Sequence, residues 1–126
     1  MALDIQVVDG QSSKVKRVIL AGSLDSDTAP ELEALVSELV ASDLDLLIFD
    51  MKPLEFISSA GLRVVFMATK QMKAKGGRLA VANRQVQITK VFEIVKALPD
   101  LTIFRDDAEM DDYLAAMQEK FRSGQD

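Results

Sequence analysis

Two adjacent hydroxyl groups, those of Ser58 and Ser59, lie where an apolar segment passes into a predicted helix. A serine at a helix start commonly accepts a backbone N–H as an N-cap, and this role is expected for Ser58. The same place also suits phosphorylation, because a phosphate adds about −1.5 to −2 charges beside the positive end of the helix dipole. The pair therefore indicates either a helix cap or a regulated hydroxyl.

The groups that would activate a serine as a nucleophile are missing, because the 126-residue chain contains no cysteine and no histidine. A Ser-His-Asp triad, an imidazole base, a thiol nucleophile and His- or Cys-type metal sites are therefore excluded. The serine pair also lacks the Gly-x-Ser-x-Gly pattern of hydrolases. The composition favours a binding or signalling module without a cofactor or metal, and not an enzyme.

The charge balance narrows the range of partners. Lys and Arg number 15 and Asp and Glu number 20, which gives a formal net charge of −5. Nucleic acid and anionic lipid both require a basic face, so neither is expected as a partner. No apolar run approaches the length of a membrane span and no secretion signal is recognisable at the N-terminus, which predicts a cytoplasmic protein.

Alternating strand and helix patterns surround the serine pair. The strands are predicted at Leu3–Val8, Val15–Ala21, Leu44–Asp50, Arg78–Ala82 and Leu101–Phe104. Leu44–Asp50 is a nearly continuous apolar run, which is typical of a strand buried on both faces. Helical periodicity predicts helices at Thr28–Ala41, Ser59–Lys75 and Val86–Ala97, and a fourth that begins after Asp106 or Asp107.

The order β-β-α-β-α-β-α-β-α indicates an α/β fold with a mostly parallel sheet of four to five strands, an N-terminal hairpin and about four helices. We expect one domain over residues 1–121 and a flexible tail over residues 122–126. Functional residues collect beyond the carboxyl ends of parallel strands. Three loops should therefore meet at one end of the sheet: Gly22–Asp27, Met51–Ser58 and Asn83–Gln85.

Charged residues near the predicted helix starts have ordinary structural explanations. Asp25 could help a kinase or phosphatase to recognise its loop, or it could hold that loop by Asx-turn hydrogen bonds. Thr28 with Glu31 three residues later fits a capping box. An acidic cluster begins the last helix and is interpreted as solvated charge that complements the helix dipole, since its spacing is not that of a calcium loop. Its members are Asp106, Asp107, Glu109, Asp111 and Asp112.

The segment Phe56-Ile57-Ser58-Ser59-Ala60-Gly61-Leu62-Arg63, with the predicted order of elements, resembles the STAS domain family, and within it the anti-sigma factor antagonists. The family pattern reads apolar–apolar–Asp–Ser–Ser/Thr–Gly–Leu. Gly22-Ser23-Leu24-Asp25 is similar to the family's segment before its first helix, and Gly76-Gly77 is similar to its turn before a later strand. The resemblance covers nearly the whole chain.

Matched residue by residue, the resemblance places the family's phosphorylated serine at Ser59, with Ser58 as the second choice. The family's aspartate falls on Ser58, so the carboxylate beside the acceptor is missing from the motif. A partner docked over the apolar residues of the loop would face a desolvated dianion after phosphorylation. The expected partner-binding residues are Asp25, Met51, Leu54, Ile57, Ser58, Ser59, Gly61, Leu62 and Arg63.

The resemblance implies a partner switch. The unphosphorylated chain would bind an anti-sigma factor that is also a serine kinase of the histidine-kinase-like ATPase type. Phosphorylation of Ser59 would release it, and a serine phosphatase would reset it, so the chain would be a substrate and not a catalyst. A STAS module that senses a small ligand or nucleotide without phosphoswitching is the alternative, although no glycine-rich phosphate loop supports it.

Overall fold

The computed structural model describes residues 2–97 and 104–123, which form five strands and four helices. In chain order these are β1 (Leu3–Asp9), β2 (Val15–Leu24), α1 (Ala29–Ala41), β3 (Leu46–Asp50), β4 (Leu54–Ile57), α2 (Ser59–Ala74), β5 (Arg78–Ala82), α3 (Val86–Ala97) and α4 (Asp107–Arg122). The α/β fold class, the hairpin and the four helices are confirmed.

The sheet is mixed, with one antiparallel pair and three parallel pairs. β1 and β2 form the antiparallel hairpin, and the order continues through β3 to β5 with parallel pairing. β4 also pairs with β2 in parallel, beside the last residues of β2, whereas β3 pairs with its first five. β3 and β4 therefore lie one after the other along the same strand.

β4 is absent from the sequence prediction, which treated 51–58 as one loop. Lys52 and Pro53 interrupt the apolar run, and a four-residue strand is too short to show a clear alternation. β4 pairs with β2 across a shift in register between Gly22 and Ser23, and Gly22 has a φ of 106° that favours glycine. Because β4 forms, the backbone of Leu54–Ile57 is held in the sheet and does not belong to a loop.

Three other expectations require comment. The predicted strand Leu101–Phe104 lies outside the described residues except for Phe104, which is in a bend. β3 is not buried on both faces: Leu47 and Phe49 are fully buried, whereas the alternate residues are only half-buried. α4 extends through Arg122, which was predicted to begin the tail, and residues 124–126 are not described.

The helices enclose one apolar core and bring α2 into contact with several elements. α1 packs against α2, α3 packs against α4, and α4 also reaches α2 and β4. The largest fully buried side chains are Phe49, Leu20, Leu24, Leu32, Leu47, Met51, Leu54, Ile57, Leu62, Met72, Ile88 and Leu114. Because α2 begins directly after β4, the packing of this core sets the position of the serine pair.

Candidate functional site

The N-terminus of α2 is capped by Ser58, as the sequence predicts. Ser58 has an extended backbone, and its Oγ accepts a hydrogen bond from the Gly61 N–H at 3.3 Å. Its carbonyl accepts the Leu62 N–H at 2.9 Å, which closes the first turn of the helix. The Ser58 hydroxyl therefore has a structural role as the helix cap. Ser58 is only 4% exposed.

Ser59 is the first residue of α2 and lies beneath the start of α4. It is 3% exposed, and its N–H donates a 2.8 Å hydrogen bond to Asp111 Oδ1. A groove of about 290 Å³ opens beside it, lined by residues of α2 and of the start of α4. The serine thus combines a helix N-terminus, where an anion is favoured, with a neighbouring carboxylate.

The three loops predicted to meet at the carboxyl ends of the strands are joined by hydrogen bonds. The Ser58 N–H donates to the Leu24 carbonyl at 2.9 Å, which ties the start of α2 to the loop before α1. Gln85 Nε2 donates to the Lys52 carbonyl at 2.7 Å, which ties the loop after β5 to the loop after β3. The prediction that these loops form one end of the sheet is confirmed.

Met51, Leu54 and Ile57, for which contact with a partner was predicted, have buried side chains in the free chain. All three are 0% exposed and belong to the apolar core. For Leu54 and Ile57 the reason is the pairing of β4 with β2, whereas the Met51 N–H donates to the Ala82 carbonyl at the end of β5. These residues support the site from below and offer no surface to a partner.

Gly61 and Leu62 also act from the interior. A Cβ built on Gly61 would lie 2.7 Å from the Leu24 carbonyl oxygen and 2.9 Å from Ile57 Cγ1. Only glycine therefore allows the first turn of α2 to approach the end of β2 this closely. Leu62 is 1% exposed and anchors the same turn in the core.

Asp25 uses its carboxylate to hold its own loop. Its Oδ1 accepts the Asp27 N–H at 2.9 Å and the Thr28 N–H at 3.2 Å, an Asx-type arrangement. The predicted capping box of Thr28 and Glu31 is wrong, because Thr28 Oγ1 donates to the Ser23 carbonyl and makes no helix cap. Asp25 stays half-buried, beside the Leu24 carbonyl that receives the Ser58 N–H.

Arg63 is the most exposed of the predicted site residues, with 58% of its side chain accessible. It lies one helical turn after Ser59 on the same side of α2. Its Nη2 forms an ion pair with Asp107, the first residue of α4. A charged contact therefore joins the surface of α2 to the acidic cluster.

The acidic cluster is only partly the solvated group that was predicted. Asp106 caps α4 by accepting the Glu109 N–H at 2.9 Å, which agrees with a role at the helix start. Asp107 and Asp111 instead reach across to Arg63 and Ser59 of α2. Over residues 2–97 and 104–123, no group of acidic residues converges as metal ligands would.

Gln118 was missed by the sequence reasoning and joins α4 to the end of β4. The residue is 2% exposed, its Oε1 accepts the Ile57 N–H at 2.9 Å, and its Nε2 donates to the Ile57 carbonyl at 2.6 Å. The side chain thus pairs with the backbone before Ser58 as a neighbouring strand would. The available signal was a glutamine four residues after Leu114, on the face that the apolar residues of α4 occupy.

Asp50 stabilises the loop that leads into β4. Burial alone would raise the pKa of its carboxyl group, but hydrogen bonds from the Lys52 N–H and Asn83 Nδ2 and the ion pair with Arg17 outweigh it, so the pKa lies below its ordinary value. Arg17 Nη1 lies 2.8 Å from Asp50 Oδ2. Asn83 adopts a φ of 60°, in the left-handed region that asparagine tolerates.

Comparison with known proteins identifies the family. The STAS domain model matches residues 7–110, most of the chain. The chain belongs to the STAS domain family. The matched range includes the serine pair Ser58 and Ser59 at the start of α2. In this STAS domain Asp111 supplies a carboxylate at the start of α2 from a different element.

Individual STAS proteins are similar over most of their length. BtrV of Bordetella bronchiseptica, whose name marks it as a candidate anti-sigma factor antagonist, is 33% identical over 94 residues, covering 75% of this chain and 78% of BtrV. The phosphorylated form of Bacillus SpoIIAA has a TM-score of 0.62 at 22% identity, covering 73% of this chain and 83% of SpoIIAA.

A third relative is an anti-sigma factor antagonist from Mycobacterium paratuberculosis. Its structure has a TM-score of 0.61 at 24% identity, and the match covers 83% of this chain and 96% of the mycobacterial one. Both structural matches support the STAS fold. Among residues 2–97 and 104–123, no helix has both the length and the apolarity that crossing a membrane would require.

Proposed function

We propose that this STAS domain is an anti-sigma factor antagonist controlled by phosphorylation. The unphosphorylated chain binds an anti-sigma factor that is also a serine kinase of the histidine-kinase-like ATPase type. Phosphorylation of Ser59 releases the complex, and a serine phosphatase restores the binding form. The chain acts in the cytoplasm as a substrate and partner, and it needs no catalytic group or cofactor of its own.

The observation that carries the proposal is the position of Ser59 as the first residue of α2, inside the range that the STAS domain model matches and in a segment that resembles the family's motif. A phosphate there lies at the positive end of the helix dipole, so the folded chain tolerates it. Ser58 is the weaker candidate, because its Oγ is already used as the helix cap. The names of BtrV and of the mycobacterial relative favour the same function. SpoIIAA, which shares the fold, has been solved both with and without its phosphate.

The proposed docking surface surrounds the groove beside Ser59. Arg63 lines this groove and supplies an exposed cation, and we include the half-buried Asp25, whose neighbour Leu24 accepts the Ser58 N–H, in the proposed surface. Met51, Leu54, Ile57, Gly61 and Leu62 contribute by fixing the backbone beneath this surface. A partner seated over the groove would exclude water from Ser59, so a phosphate of about −1.5 to −2 charges would have to be desolvated in the complex. That cost is the physical basis for release.

A binding comparison without ATP tests this surface. The anti-sigma ATPases of the same genome are purified, and each is titrated with the wild-type chain, Ser59→Ala and Ser59→Asp. We expect one ATPase to bind wild type and Ser59→Ala with similar Kd values and Ser59→Asp at least about tenfold more weakly, a loss of about 1.4 kcal/mol. Ser37→Asp, an exposed change on α1, serves as the charge control. Equal binding by all four chains would exclude a switch at Ser59.

A further inference from the structure

We propose that Asp111 is a positioning residue that couples the state of Ser59 to α4. When Ser59 is unmodified, its N–H holds Asp111 and keeps the first two turns of α4 on α2. When Ser59 carries a phosphate, the phosphate displaces Asp111, and this part of α4 loosens. The inference rests on the proposed function for its biological meaning, but the coupling is a property of the chain alone.

The geometry places Asp111 where a phosphate on Ser59 would also be stabilised. Both are anions, and both would occupy the N-terminus of α2, where the helix dipole favours negative charge. The Ser59 N–H already has a carboxylate acceptor at 2.8 Å. A phosphate attached to the same residue brings a second and larger negative charge beside that carboxylate, and like charges at this range repel strongly when partly buried.

A phosphate on Ser59 would also weaken a second contact between α4 and α2, the ion pair of Asp107 with Arg63. Asp107 is held by its ion pair with Arg63, which lies one turn after Ser59 on α2. A phosphate on Ser59 competes with Asp107 for this guanidinium, because arginine binds phosphate oxygens in a bidentate manner. Both polar contacts between α2 and the first turns of α4 are therefore weakened by one modification.

The second half of α4 is not subject to this competition. Gln118 is neutral, and it binds the Ile57 backbone through a donor and an acceptor at 2.6 and 2.9 Å. Leu114 is 1% exposed and Met117 is also buried, so this half remains packed in the core. The expected change is thus confined to the segment from Asp107 to about Tyr113.

Loosening this segment changes the surface that a partner meets. The groove beside Ser59 is lined on one side by Asp106, Asp107 and Met110, so its wall moves with the start of α4. Ser59 itself is 3% exposed beneath the same segment. Because coupling is reciprocal in free energy, a change that loosens the start of α4 also favours the phosphorylated state of Ser59.

The test uses the full chain with phosphoserine placed at position 59 during translation, so no kinase is needed. Hydrogen exchange is measured by mass spectrometry in wild type, Asp111→Asn and Asp112→Asn, each with and without the phosphoserine. Asp111→Asn keeps an oxygen that accepts the Ser59 N–H but removes the charge. Asp112→Asn removes the same charge from an exposed neighbour on α4. Phosphoserine at Ser37, on the exposed side of α1, controls for the modification itself.

We expect phosphoserine at position 59 to accelerate exchange in peptides covering 108–113 by about tenfold, with no change in β3 or at Ile57. Asp111→Asn should reduce this acceleration to less than about threefold, whereas Asp112→Asn should leave it unchanged. A purely structural role for Asp111 does not depend on its charge, so it would leave the acceleration by phosphoserine as large in Asp111→Asn as in wild type. Unchanged exchange in the phosphorylated wild type, equal acceleration in both asparagine variants or acceleration throughout the chain would each overturn the coupling.

The outcome is separable from that of the proposed function. If Ser59 is phosphorylated by an anti-sigma kinase but exchange in α4 does not respond to phosphoserine, the coupling is wrong and the switch stands. If exchange responds but no kinase modifies Ser59, the coupling stands and the proposed function is wrong.

Discussion

Replacing Gln118 by leucine should destabilise the domain strongly although the change preserves volume and adds apolar character. Gln118 is 2% exposed and makes two hydrogen bonds to the Ile57 backbone. In Gln118→Leu the Ile57 N–H and carbonyl lose these partners in a buried environment, at about 1–3 kcal/mol each. The buried leucine returns about 1–2 kcal/mol of apolar burial. At the middle of these ranges the net loss is about 2–3 kcal/mol, a large part of a typical stability of about 5–15 kcal/mol.

The assay is urea unfolding followed by far-ultraviolet circular dichroism, with hydrogen exchange at Ile57 as a local readout. The matched control is Gln71→Leu, because Gln71 Oε1 is buried and has no hydrogen-bond partner among the described residues. Removing that amide should be neutral or stabilise the domain by up to about 1 kcal/mol. The reasoning is refuted if Gln118→Leu costs less than about 0.5 kcal/mol, or if both substitutions cost the same.

Three further predictions follow from the same contacts. Gly61→Ala should lower the free energy of unfolding by about 1–2 kcal/mol despite the better helix propensity of alanine, because its Cβ would lie 2.7 Å from the Leu24 carbonyl oxygen. By comparison, Ala60→Gly should cost about 1 kcal/mol through helix propensity alone. A Gly61→Ala variant more stable than wild type would contradict the close approach. Folding lowers the pKa of the Asp50 carboxyl group below 3.8, so its contribution to the free energy of unfolding is complete above that pH and is lost as the pH falls through the lowered value. The thermal unfolding temperatures of wild type and Asp50→Asn should therefore differ at pH 7 and converge in acid. A difference that stays constant with pH would count against this role of Asp50. Ser58→Ala should lower the free energy of unfolding measured in urea by about 0.5–2 kcal/mol, because the helix cap is lost. The variant should still be phosphorylated at Ser59. Loss of phosphorylation in Ser58→Ala would instead identify Ser58 as the phosphorylated residue.

Local signals in the sequence were sufficient for much of the fold. The Ser58 cap and the hairpin both depend on residues near one another in the chain or on simple periodicity. β4 could not be recognised in this way, because its four residues become a strand only through pairing with β2. The pairing brings Leu54 and Ile57 into the core, which local signals in the sequence did not indicate.

The site contacts that were missed are those between distant parts of the chain. Asp111 lies 52 positions from Ser59, and Gln118 lies 61 positions from Ile57. Helical periodicity identifies the face of α4 that turns inward but not which backbone group a polar side chain will meet there. The acidic cluster was therefore interpreted as solvated charge, although two of its members bind α2. The absence of histidine and cysteine remains informative, since a chain that only presents a serine needs neither.

Phosphate mapping in a reconstituted complex tests whether phosphorylation of Ser59 releases the chain from its anti-sigma factor. The wild-type chain, Ser58→Ala and Ser59→Ala are each incubated with the binding anti-sigma ATPase and ATP, and the products are analysed by mass spectrometry and size-exclusion chromatography. We predict one phosphate on Ser59 in wild type and Ser58→Ala, none in Ser59→Ala, and loss of the complex only where the phosphate is present. A complex that forms equally well with the phosphorylated chain, or a chain that neither binds nor accepts phosphate, would contradict the account.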